Sequence, residues 1–116
     1  EAIMRNYRGE LAECTMANLF VVQNGEALTP PLESGLLAGI TREYLFEVAA
    51  STSVPVREAV LRDDELFGAD EAFLTSTTRE LLPIVRVDDR PVGAGRPGPI
   101  TRTLLAAFRA ATRTAR

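Results

Sequence analysis

The sequence contains no lysine; all thirteen of its basic residues are arginine. No side-chain amine of this chain can therefore form a Schiff base, which excludes any reaction in which the chain alone supplies that nucleophile. Histidine and tryptophan are missing as well, and cysteine occurs once, as Cys14. A lone cysteine cannot close an internal disulfide, and without histidine it argues against a zinc or iron centre. A reducing compartment, the cytoplasm, is the expectation. The basic residues are scattered singly over a chain of net charge −3, so the stripe that nucleic acid demands is not there. No apolar run approaches the length of a membrane span. Neither nucleic acid nor membrane is an expected partner.

What is present suffices for one core: 116 residues, of which 46% are hydrophobic. The opening "EAIMRN" is strand-like and carries no initiating methionine, and it reads as a chain cut in the middle of a fold. Two hairpins are expected first. "AIMRN" and "ELAECT" flank a turn at Gly9, and "ANLFVVQ" and "EALTP" flank Asn24-Gly25, the strongest two-residue hairpin signal. The prolines of "PPLESG" forbid further ladder. A helix is predicted over residues 40–50, where Ile40, Tyr44 and Val48 recur on one face. "VPVREAVL" alternates like a strand, "RDDELFGAD" reads as a short helical turn, and "EAFLTST" as a buried strand running into hydroxyls. "LPIVRVD" and "RPVG" predict a further hairpin across "DDR". A last helix carries Ile100, Leu104, Leu105 and Phe108 as its stripe, with "ATRTAR" expected to fray. The chain is one α/β (α+β) unit with a mixed, largely antiparallel, hairpin-built sheet.

Several short stretches invite chemistry. "GAGRPG", residues 93–98, matches the dinucleotide pattern G-x-G-x-x-G letter for letter. Its context is wrong, because it follows a short hairpin strand and too little chain remains for the acidic ribose ligand. These glycines are read as turn chemistry. "TSTT", residues 75–78, ends a strand with four hydroxyls; β-branched threonine at a strand end explains it, and so does an anion loop. Thr41 stands where the N-cap of the first helix is expected, behind Gly39, which lets the backbone approach a neighbour closely. A helix start stripped of bulk and bearing a hydroxyl is also a phosphate cup. Glu13, in strand-like company, is an ordinary solvated residue unless it faces inward, where it needs a cationic or protonated partner.

The order of these features, carboxylate, hairpin, glycine-threonine helix start and hydroxyl strand end, resembles the fold-type IV pyridoxal-phosphate enzymes, the class IV aminotransferases. "ECTMANLF" is similar to that family's glutamate-to-Asn-Leu-Phe segment and "LTPPLESGLLAGITR" to its Thr-Pro-Pro loop and Gly-Ile-Thr-Arg helix start. "ADEAFLTSTTRELLPIVRVDDRPVGAGRPGPITR" is similar to its closing strand, threonine loop and last helix. The resemblance spans about residues 8–108.

The resemblance implies a role for each matching position. Glu13 would pair with the pyridine nitrogen of pyridoxal 5'-phosphate (PLP) and keep it protonated. Gly39, Ile40 and Thr41 would bind the cofactor phosphate, Leu37 would pack on its ring, and Thr77 would add a second hydroxyl. The backbone of Thr77 and Thr78 would meet the substrate carboxylate. The family's Schiff-base lysine and a phosphate-binding arginine lie upstream of the glutamate and have no counterpart in these residues, so the chain is expected to be the C-terminal cofactor-binding portion of such an enzyme, inactive alone. Two smaller departures are Ala27 in place of a larger apolar residue and the missing glycine after the first helix. The implied reaction is transamination between an amino acid and a 2-oxo acid by a homodimer. The aminodeoxychorismate lyase branch, with the same cofactor parts, is the alternative, and a non-catalytic relic without cofactor is the alternative of another class.

Overall fold

Turn chemistry lays down the sheet. Asn24 (φ 52°) and Gly25 (φ 78°) both adopt the left-handed conformation that a two-residue hairpin turn requires. They join β3 (Asn18–Gln23) to β4 (Glu26–Thr29), with Val21 opposite Leu28. Ahead of them, β1 (Ile3–Arg5) and β2 (Leu11–Cys14) form a separate antiparallel pair. β3 also pairs with β6 (Glu71–Ser76), which pairs with β7 (Glu80–Ile84). β5 (Val56–Glu58) adds to β4 in parallel, giving the five-stranded order β5-β4-β3-β6-β7. The computed structural model, which describes residues 1–114, thus has the mixed sheet that the pattern predicts.

Alternation along β3 feeds both faces of this sheet. Leu19 and Val21 join one apolar cluster with Leu11, Leu66 and Leu74, while Phe20 and Val22 join a second with Phe73, Leu45 and Leu104. Being covered on both sides, the strand reads as an uninterrupted apolar run. The opposed pair Phe20 and Phe73 stacks with centroids 4.9 Å apart. Helices α1 (Ile40–Ala49) and α3 (Pro99–Thr114) cover this second face and meet through Tyr44 and Phe108, edge to face at 5.6 Å. Between β5 and β6, Asp63–Phe67 forms the short helix α2.

Three expectations need correction. The run "LPIVRVD" is not one strand. β7 stops at Ile84, opposite Ala72 near the start of β6, because its partner ends there. The backbone then turns, and Arg86–Val87 (β8) pairs with Arg90–Pro91 (β9) across Asp88 and Asp89, both at positive φ. "VPVREAVL" contributes only three residues of strand. The last helix continues through residues 111–114 and does not fray there; Ala115 and Arg116, the rest of the expected fray, lie outside the described residues.

The glycines of residues 93–98 serve turns and close packing. Gly93 and Gly95 have positive φ. A Cβ on Gly98 would fall 2.1 Å from Cδ of Glu71. That buried carboxylate accepts the backbone N–H of Ile100 (3.0 Å) and Thr101 (2.8 Å) and the Thr101 hydroxyl (2.7 Å), so it caps α3 from the neighbouring strand.

Candidate functional site

Antiparallel pairing brings the C-terminal end of β6 beside the N-terminal end of β3, so Thr75 stands opposite Asn18. β2 ends close by, where Cys14 bridges to Ala17. The first turn of α1 is tied to this same end of the sheet by the Asn18 side chain, which donates from Nδ2 to the carbonyl of Leu37 (2.9 Å) and accepts at Oδ1 from the N–H of Gly39 (3.1 Å). The approach leaves no room at Gly39 for a side chain, since a Cβ there would meet Oδ1 at 2.6 Å. Leu37 is held from its other side as well, because its N–H donates to Oε1 of Glu13 (3.3 Å).

A cleft of about 240 Å³ opens between these elements. Its lining includes Glu13, Leu37, Gly39, Ile40, Thr41 and Thr77, so six positions picked out by the sequence are brought together. Thr78 is exposed and does not line it. A larger cleft of about 400 Å³ opens among β1, α2 and β8, where Arg5 pairs with Asp63.

The smaller cleft has a polar floor and an apolar rim. Its helix start differs from expectation: the N-cap is Gly39, not Thr41, because the backbone stays extended only as far as the residue that Asn18 holds. Thr41 is the second helical residue and is buried. No side chain caps the helix, so no cap competes for the N–H groups of its first turn, which form the positive end of the helix dipole. Leu37 and Ile40, each 81% exposed, stand beside that turn, with Met16 also exposed. The arrangement suits an anion joined to a flat apolar body.

Two residues here escaped the reading of the sequence. Asn18 was legible as an anomaly, since asparagine rarely begins a buried strand. Arg42 was another, being a cation in the first turn of a helix, where the dipole disfavours it. Its guanidinium is almost wholly buried; it donates to the carbonyl of Pro30 (3.1 Å) and to Glu58 (2.7 Å), pairs with Glu43, and lies 5.3 Å from the Phe46 ring. It fastens the helix start to the loop after β4 and to β5. Cys14 is buried nearby, and desolvation pushes its thiol up to about 11, which suits packing and not nucleophilic work.

Comparison with known proteins identifies the family and the fold. The amino-transferase class IV family pattern matches residues 1–87. The probable branched-chain-amino-acid aminotransferase of Thermotoga maritima is 40% identical over 108 residues, which cover 93% of this chain and 40% of that protein. The branched-chain-amino-acid aminotransferase of Escherichia coli K12 is also 40% identical over 108 residues, covering 93% of this chain and 35% of that protein. Among solved structures, the E. coli branched-chain enzyme superposes with a TM-score of 0.89 at 39% identity, over 93% of this chain and 37% of the other. The T.th. branched-chain enzyme complexed with N-(5'-phosphopyridoxyl)-L-glutamate reaches 0.92 at 33% identity, over 100% of this chain and 38% of the other. The chain thus spans 35–40% of the length of these two curated relatives. With the family pattern over most of its length and the mixed fold in common with these structures, the chain belongs to the class IV amino-transferases.

Proposed function

We propose that this chain is the C-terminal cofactor-binding part of a PLP-dependent aminotransferase, acting on an amino acid and a 2-oxo acid as part of a cytoplasmic homodimer. One observation carries the proposal. Glu13, the uncapped start of α1 and the Thr75–Thr77 strand end line a single cleft whose rim is exposed leucine and isoleucine. This donor set fits the group: a carboxylate for a basic ring nitrogen, amides and hydroxyls for a phosphate, and apolar surface for the ring between them.

When bound, PLP supplies an electron sink for bond breaking at the substrate α-carbon. A few residues of this chain have a part in holding that sink ready. The Glu13 carboxylate holds a proton at the pyridine nitrogen, and its hydrogen bond from Leu37 fixes the carboxylate beside the cleft. The amides of Ile40 and Thr41 and the hydroxyls of Thr41 and Thr77 hold the phosphate. Leu37 packs on the ring, and the backbone at Thr77 and Thr78 receives the substrate carboxylate. The lysine that carries the amine comes from outside these residues, since the chain has none. The T. maritima and E. coli relatives are branched-chain aminotransferases, which favours transamination of branched-chain substrates over the lyase reaction.

Glu13→Gln tests the assignment in the whole protein. An amide cannot keep the ring nitrogen protonated, yet it leaves the phosphate cup intact. PLP affinity should stay near that of the wild type while kcat falls on the order of a hundredfold, the scale of a positioned proton-holding group. Near-normal kcat would make Glu13 an ordinary strand residue.

A further inference from the structure

The cleft contains a hydroxyl to which the proposed function gives no part. Among the described residues, Thr75 Oγ1 is a buried side-chain oxygen with no hydrogen-bond partner, on a residue only 1% exposed. A buried hydroxyl without a partner is costly, so such an atom marks either a fault in the fold or a place waiting for a ligand. Its position decides between these. Thr75 lines the same cleft as Ile40 and Thr41. It also stands opposite Asn18, on the sheet face shared with Phe20 and Phe73, which is the face that α1 covers. The Asn18 amide is already engaged at both ends by Leu37 and Gly39. Thr75 therefore lines the cleft on the sheet face that α1 covers, with no protein group answering its hydroxyl.

We infer that Thr75 is a further ligand of the bound phosphate group, its hydroxyl donating to an anion seated on the first-turn amides of α1. The inference rests on the reading of the cleft as a PLP site and adds to it a hydroxyl from within β6, below the exposed Thr77. It also explains why a threonine is buried where the apolar residues of β6 end: the fold tolerates an unanswered hydroxyl because the ligand answers it.

Thr75→Val, which keeps the shape and removes the hydroxyl, separates the possibilities when PLP and unphosphorylated pyridoxal are titrated into the whole apo protein. PLP affinity should fall about tenfold, as for loss of a hydrogen bond to a charged acceptor. Pyridoxal affinity should not change, and the apo variant should melt no lower than the wild type. Thr75→Ser should recover most of the PLP affinity. A valine variant that binds PLP like the wild type would overturn the inference and leave the PLP reading standing. Equal weakening toward PLP and pyridoxal would overturn it too, by placing the hydroxyl on the ring. So would a valine variant that fails to fold, because an unpartnered hydroxyl has no native bond to lose. A wild-type protein that binds no PLP would remove the cofactor reading itself, and the inference with it.

Discussion

At the scale of single residues, the cleft is made by side chains whose local reading is unremarkable. Thr41 is the sharpest case. As an N-cap, its replacement by alanine would cost typically about 1 kcal/mol with or without ligand. The structure gives that position to Gly39, so Thr41→Ala removes no cap. In the apo protein its loss should be limited to the burial of a methyl group, about 0.8 kcal/mol. A phosphate hydroxyl is worth more, about 1.5–3 kcal/mol toward a charged group, so PLP affinity should drop roughly tenfold or more. Thermal melts would then show the gap between wild type and variant widening as PLP is added, because a ligand stabilises only the state it binds. A constant gap would reduce Thr41 to a packing residue. The positions of Glu13, Thr41 and Thr77 were legible through the order of motifs, not through periodicity. Asn18 lay inside a quoted motif and went unused, since nothing local says that a strand asparagine will bracket a loop nineteen residues later.

At the scale of elements, what could be read is what neighbours in sequence decide. Asn24-Gly25 fixes its hairpin because the positive φ values it needs are local matters. The end of β7 was illegible because it depends on where β6 begins, and β6 begins at a glutamate committed to a helix of its own. The first helix lacks the expected glycine at its end, yet its last carbonyls are answered. The backbone N–H groups of Ser51 (3.0 Å) and Thr52 (2.9 Å) donate to Val48 and Ala49. Ser51 Oγ (2.7 Å) and Thr52 Oγ1 (2.8 Å) donate to the same carbonyls, so tightened turns and hydroxyls replace the left-handed residue. The G-x-G-x-x-G stretch makes a prediction of its own at this scale. A methyl group on Gly98 would collide with the Glu71 carboxylate that caps α3. Gly98→Ala should therefore destabilise the fold by about 1–3 kcal/mol, as overpacking does. Urea denaturation would record this as a lower midpoint with an unchanged slope. Unchanged stability would mean that the Glu71 cap moves freely.

At the scale of the whole molecule, one end of the sheet gathers the groups proposed to hold the cofactor, while the chain contains no lysine to supply the reactive amine. A carboxylate from β2, a helix start from α1 and hydroxyls from β6 meet in one cleft because β3 lies between them and pairs with β6. The same fold occurs within relatives more than twice as long. Binding and covalent capture should then come apart in this chain alone. The chain, incubated with PLP, reduced with borohydride and digested, should yield no pyridoxyl group on any internal side chain, because arginine does not form the required imine and lysine is absent. The amino terminus of the isolated polypeptide is the one place where label is expected. Label on an internal residue, located by mass spectrometry of the digest, would overturn the expectation that no side chain of this sequence forms the imine.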